Sequence, residues 1–135
     1  MNSMQKMVEE FHKKYCHKIG TGPQLLDNPL FKFRENLINE EYNELKKAID
    51  KKDLIEVIDG ICDLLYVIFG LCVCMGINIE PFFKEIHESN MSKDQPKNLL
   101  SKPIKGENYF KPNIQKILYP FGHECDITGN NGLGR

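Results

Sequence analysis

A basic surface, a disulfide framework, a zinc cluster and a regular strand pattern are all missing from this 135-residue chain. Each absence removes a class of function. The formal net charge is −1, so no overall positive field exists to recruit nucleic acid, and no nucleic-acid partner is expected. The five cysteines are an odd number and contain no C-x-x-C. Cys62, Cys72 and Cys74 sit in an apolar stretch, where reduced thiols of a cytoplasmic protein are expected instead of bridges or metal ligands. The opening residues, MNSMQKMVEEFHKKY, are amphipathic and lack the apolar core of a secretory signal. No internal repeat or low-complexity block occurs. One uncharged run, LLYVIFGLCVCMGINI at 64–79, falls short of the roughly 20 apolar residues a membrane span wants. Extending it backward meets Asp63 and Asp59, which are costly in lipid, so no membrane partner is expected. A core or subunit-interface helix fits that run better.

What is present is helical periodicity. Met4, Met7, Val8, Phe11 and Tyr15 recur at spacings of three and four, predicting a helix over 3–17. GTGPQLLDNP breaks the pattern. A second helix is predicted over 30–50, with Leu30, Phe33, Leu37, Ile38, Leu45, Ala48 and Ile49 as its apolar stripe, Asn28 or Asp27 as its cap and Pro29 in its first turn. DKKD reads as a short turn. A third helix runs from about Asp53 to Met75 and stops at Gly76. Its second half is apolar nearly all round, which predicts burial on several sides. A buried strand over 61–74 is the alternative, and its length disfavours it. NIEPFFKEIHESNMSK predicts a fourth helix with Phe82, Phe83 and Ile86 facing inward. Beyond Asp94, four prolines and little period predict an extended arm or short strand pair, with a short helix over 113–118. With 41 % hydrophobic residues the core is modest, and a helical chain this small gains by associating with copies of itself.

The most specific feature is LINEEYNELKKAIDKKDLIEVIDGICDLLYV, residues 37–67. Glu40, Glu41 and Glu44 lie three and four apart, as do Glu56, Asp59 and Asp63. Each helix therefore carries a strip of acid. A short turn makes the helices antiparallel neighbours, so the strips should face each other. Packed carboxylates repel, and something positive should lie between them. The third helix has no Lys or Arg from Lys52 to Lys84, and oxygen-only ligands suit Mg²⁺ or Mn²⁺ over zinc. Solvated surface acids, paired with lysines as Glu44 is with Lys47, are the competing reading. Asp59 and Asp63 weigh against it, because they sit in an apolar helix where an unpaired charge is expensive. A di-iron carboxylate bundle needs two Glu-x-x-His motifs, and only Glu9 to His12 supplies one.

EEYNE at 40–44 followed by EVID at 56–59 resembles the all-α nucleoside triphosphate pyrophosphatase superfamily, which includes the MazG-like, dimeric dUTPase and phosphoribosyl-ATP pyrophosphohydrolase families. RENLINEE, DGICDLLYVIFG, EIHESNMSK and KPIKGENYFKPNI look like the phosphoribosyl-ATP pyrophosphohydrolase-like subgroup, so the resemblance covers roughly residues 5–118. It implies an all-α bundle of four to five helices with an extended C-terminal arm, usually a homodimer or a dimer of dimers. Residues 1–118 would form that domain and 119–135 a tail. It also implies cleavage of a nucleoside triphosphate between its α and β phosphates, releasing a monophosphate and pyrophosphate.

On that resemblance, Glu40, Glu41, Glu44, Glu56 and Asp59 would hold Mg²⁺, with Mn²⁺ as a substitute. Glu40 or Glu41 would orient or deprotonate the attacking water, and Asp63 is a possible additional acid. Arg34 and Lys93 are candidate phosphate binders. Asn90 and Lys93 match the family segment that touches sugar or phosphates. Lys102, Lys105 and Tyr109 lie in an arm able to close over substrate. Phe33 or Tyr66 could border the base. His87 is expected on a helix surface, and the H-x-C of His123 and Cys125 has too few partners for zinc. The expected role is clearance of nucleotides, with dUTP or another pyrimidine triphosphate as substrate. The alternative is a helical scaffold or nucleotide-binding module that kept the bundle without the chemistry.

Overall fold

The computed structural model describes residues 1–121, so His123 and Cys125 lie outside the described residues. Among them there are five helices and no strand: α1 (Ser3–Lys14), α2 (Asn28–Lys51), α3 (Leu54–Met75), α4 (Ile79–Met91) and α5 (Ile114–Leu118). The chain is all-α, and residues 61–74 belong to α3, not to a strand. It divides into two compact units, Met1–Asn78 and the part from Ile79 onward.

In the first unit, local chemistry sets the helix ends. Asp27 caps α2, its Oδ1 accepting from Leu30 N–H at 3.0 Å, with Pro29 in the first turn. At the other end Lys52 turns left-handed at φ 56° and donates its N–H to the last carbonyls of α2. Asp53 follows at once as the cap of α3, its Oδ1 accepting from Ile55 N–H at 3.0 Å and Glu56 N–H at 3.2 Å. Such a cap contributes about 1 kcal/mol. With only these two residues between them, α2 and α3 double back and pack along their lengths. Gly60 lets them come close: a Cβ there would meet Leu45 Cα at 3.1 Å. Gly76, at φ 70°, closes α3.

The buried face of α1 differs from its apolar stripe. Gln5, Val8 and His12 are buried, whereas Met4, Met7, Phe11 and Tyr15 are exposed. Polar side chains tolerate burial when bonded. Gln5 Nε2 donates to Ile77 O at 2.6 Å, and His12 Nδ1 lies 2.9 Å from Lys18 O. The wider apolar stripe is left outside with Cys62, Leu65 and Phe69 of α3, forming an open greasy groove. The second half of α3 is likewise buried on fewer sides than its composition predicts. Gly70, Cys72, Val73 and Cys74 are buried, while Ile61, Leu65, Tyr66 and Ile68 keep large exposed fractions because α1 and α2 cover only part of the helix. By length and composition α3 could cross a membrane, yet Glu56, Asp59 and Asp63 stand on it.

In the second unit α4 buries Ser89 and half-buries Phe82. Phe83 does not face inward: it is 70 % exposed, and Ile86 is exposed too. Phe82, Glu85 and Ser89 share a helix face, and Phe83 lies about 100° round from Phe82. The arm beyond α4 is closed by one antiparallel bridge, Asp94 to Ile104. It is tied back to α4 by Ser89 Oγ donating to Phe110 O at 2.8 Å, and by Glu85 Oε1 accepting from Asn113 N–H at 2.8 Å. His87 is exposed on α4.

Candidate active site

The antiparallel turn brings the two acid strips to one place. Glu41 and Glu44 of α2 and Glu56, Asp59 and Asp63 of α3 line a single cavity of about 330 Å³, with Ala48 and Gly60 as its floor. Both floor residues are small and buried, which leaves room between the carboxylates. Glu40 is exposed and does not line the cavity. Asp63, one turn beyond Asp59, does. Burial, reinforced by the neighbouring charges of Asp63, Glu40, Glu44 and Asp59, pushes the Glu41 carboxyl above its ordinary value.

Two lysines relieve part of that repulsion. Lys47 Nζ lies 3.3 Å from Glu44 Oε1, and Lys51 Nζ lies 3.4 Å from Glu56 Oε2. Both pairs are solvent-exposed and worth at most about 1 kcal/mol. Lys51 lines the cavity itself, a contribution from α2 that a search of α3 for cations could not find. Its spacing to Glu56 crosses the turn, so no single-helix pattern reveals it. Among the described residues no three acid, His or Cys side chains close on a single point tightly enough to grip an ion. The donor set is nevertheless all oxygen, crowded and excess in negative charge, which fits a hard divalent cation.

Arg34 lies on the same face of α2, two turns before Glu41, and is buried. It lines a second cavity of about 210 Å³ with Phe11, His12, His17, Phe33, Leu37, Tyr66 and Val67. Phe33 and Tyr66 both border this space. His12 and His17 carry no periodic signal for this setting, because it depends on Arg34, distant in sequence. In the second unit, Lys93 Nζ donates to Asn90 Oδ1 at 2.8 Å, and Lys105 Nζ sits 5.3 Å from the Tyr109 ring centre. Lys102 is exposed.

A family model described as phosphoribosyl-ATP pyrophosphohydrolase matches residues 8–90, a span that holds both acid strips and Arg34. The chain belongs to the phosphoribosyl-ATP pyrophosphohydrolase family. The family takes its description from a pyrophosphohydrolase activity. Within the family match, Asn90 is the last residue, and Lys93, Lys105 and Tyr109 lie beyond it. Among curated proteins, an uncharacterized protein, L479, of Acanthamoeba polyphaga mimivirus is 36 % identical over 77 residues. That match spans 54 % of this chain and 31 % of the mimivirus protein, so the chain corresponds to about a third of that relative.

Proposed function

We propose that the chain is a Mg²⁺-dependent nucleoside triphosphate pyrophosphohydrolase that converts a nucleoside or deoxynucleoside triphosphate to its monophosphate and pyrophosphate. The observation that carries this reading is the single cavity walled by five carboxylates from adjacent helices. A triphosphate and such a cavity repel each other, so a shared cation is needed to join them. Glu41, Glu44, Glu56 and Asp59 would hold it, with Asp63 supplying a further acid and Glu40 at the margin. Mg²⁺ or Mn²⁺, when bound, supplies charge neutralisation of the phosphates and acidifies a bound water. Glu41, which lines the cavity, is the better placed of the two candidate bases, because Glu40 stands off the cavity wall.

Beside this centre, Arg34 of the same unit would contact substrate. The role is clearance of surplus nucleotides, with dUTP or another pyrimidine triphosphate as the substrate. The exposed apolar groove between α1 and α3 supports a homodimer or a dimer of dimers. The free thiols Cys16, Cys62, Cys72 and Cys74 fit a cytoplasmic setting.

The test is a turnover panel over ribo- and deoxyribonucleoside triphosphates, with Mg²⁺, Mn²⁺ or chelator, reading pyrophosphate and orthophosphate separately. Pyrophosphate release that needs metal and disappears in Glu44→Gln is the expected result. A folded protein that turns over no nucleotide would sink the reading and leave a binding module.

A further inference from the structure

Arg34 is a buried cation with no anion beside it. It is 4 % exposed, and a guanidinium stays charged at any working pH. Buried charges ordinarily sit against a counter-charge. None of the ion pairs Lys13–Glu9, Lys32–Glu35, Lys47–Glu44 and Lys51–Glu56 includes Arg34. Its Nη2 reaches two imidazole nitrogens, His12 Nε2 and His17 Nδ1, each at the long distance of 3.4 Å, and the buried Cys74 thiol also lies against the guanidinium. Its Nε is buried without any hydrogen-bond partner. His12 Nδ1 faces the Lys18 carbonyl and therefore carries the ring proton, leaving Nε2 as a lone pair toward the guanidinium. The guanidinium is thus held in place with its Nε left without an acceptor.

The surrounding cavity indicates what would supply one. Its walls are the rings of Phe11, Phe33 and Tyr66, and the largely buried Arg34, His12 and His17 supply its small polar share. Phe11 and Tyr66 meet edge to face, with ring centres 5.4 Å apart. Aromatic walls suit a flat ring, and the polar share suits an acceptor edge on that ring. The cavity also continues the acidic groove. Leu37 precedes Glu41 by one turn on α2, and Tyr66 follows Asp63 by one turn on α3. Arg34 and Glu41 are seven residues apart, about 10 Å along the helix axis.

We propose that this cavity holds the base of the nucleotide whose phosphates occupy the acidic groove, and that Arg34 selects a base with two adjacent acceptors, cytosine or guanine. The proposal rests on the pyrophosphohydrolase reading of that groove. Cytosine offers O2 beside N3 and guanine O6 beside N7, and arginine's planar fork matches paired acceptors. Uracil and thymine separate their two oxygens with an N–H, and adenine sets an amino donor beside N7. Among pyrimidines, cytosine is therefore preferred to uracil.

The experiment compares kcat/KM for dCTP, dGTP, dUTP, dTTP and dATP in the full chain, in Arg34→Met and in Arg34→Lys, with melting curves to verify folding. The wild type should favour dCTP or dGTP over dUTP on the order of tenfold or more. Both variants should lose that preference, the lysine because it keeps the charge without the fork. Equal use of all five by the wild type, or a preference that survives in either folded variant, would overturn the proposal. A second arm separates this idea from the phosphate reading. Phosphate-free deoxycytidine, deoxyguanosine and deoxyuridine are titrated in chelator while the His12 and His17 ring protons are followed by NMR, in wild type and Glu44→Gln. Ring shifts with deoxycytidine or deoxyguanosine and not with deoxyuridine support the base pocket even if no triphosphate is hydrolysed. Rings that ignore all three nucleosides count against it whatever the turnover.

Discussion

Arg34 Nη1 stands 2.6 Å from the point where a Cβ on Gly70 would lie. The absence of a side chain on α3 is what gives the buried guanidinium its seat. Gly70→Ala should therefore destabilise the protein by about 1–3 kcal/mol, the usual cost of overpacking. In an Arg34→Met background the same change should cost less, since the shorter apolar chain can yield. Urea unfolding of the two single variants and the double variant measures that coupling, and strict additivity would count against the contact.

His12 supplies a pH signature. Burial first, then the nearby charges of Arg34 and His17, push its pKa below the ordinary histidine value, partly offset by the bond to Lys18 O. The unfolded chain then binds a proton more readily than the folded one. Stability from this group is complete above about pH 6.5 and is lost as the pH falls through the folded pKa. NMR titration should place the His12 midpoint below the ordinary value, and replacement by Gln should flatten the acid side of the stability profile. A midpoint at or above the ordinary value would contradict the buried neutral ring.

Asp53 is a cap for α3 and sits in the turn that sets the acid strips opposite each other. Asp53→Ala should cost about 0.5–2 kcal/mol. The loss should appear in thermal melts with and without metal, because Asp53 does not line the acidic cavity. A variant as stable as the wild type would mean that the turn holds without its cap.

Metal should stabilise the folded chain. On the proposed reading, Mg²⁺ at a hundred times its Kd raises stability by about 2.7 kcal/mol, since the cation binds the folded form alone. Asp59→Asn and Glu44→Gln should shrink the shift in melting temperature, and Lys47→Met should preserve most of it. An Mg²⁺ shift unaltered by either acid substitution would place the ion elsewhere.

The open groove of Met4, Met7, Cys62, Leu65 and Phe69 predicts association. Met7→Lys with Leu65→Lys should lower the mass seen by light scattering to that of one chain. A single-chain mass in the wild type at micromolar concentration would remove the homodimer.

Much of this architecture was legible in local chemistry. Asp27 with Pro29 announces α2, Gly76 ends α3, and the three- and four-residue spacing of the acids places them on facing strips. These signals work because their causes lie within a turn of the residue concerned. What could not be read depends on partners far along the chain. Gln5 and His12 look like surface residues until the carbonyls of Ile77 and Lys18 are seen to satisfy them. Arg34 looks like a surface cation until Gly70 makes room for it. Phe83 follows the apolar pattern yet remains exposed, because burial depends on what packs against a helix as well as on its period.

The two-residue connection of Lys52 and Asp53 has a kinetic consequence. Every wall of the acidic cavity falls between Glu41 and Asp63, a single helical hairpin. Closing so short a loop costs little chain entropy, and contacts of low sequence separation form fastest. The acid groove is therefore expected to assemble early in folding, ahead of the docking of α1 onto α3. The Arg34 pocket must wait for that docking, because Phe11, His12 and His17 come from α1 and the segment just after it. The part of the molecule that would carry reaction chemistry is self-contained, and the part that would choose the substrate is the last to be completed.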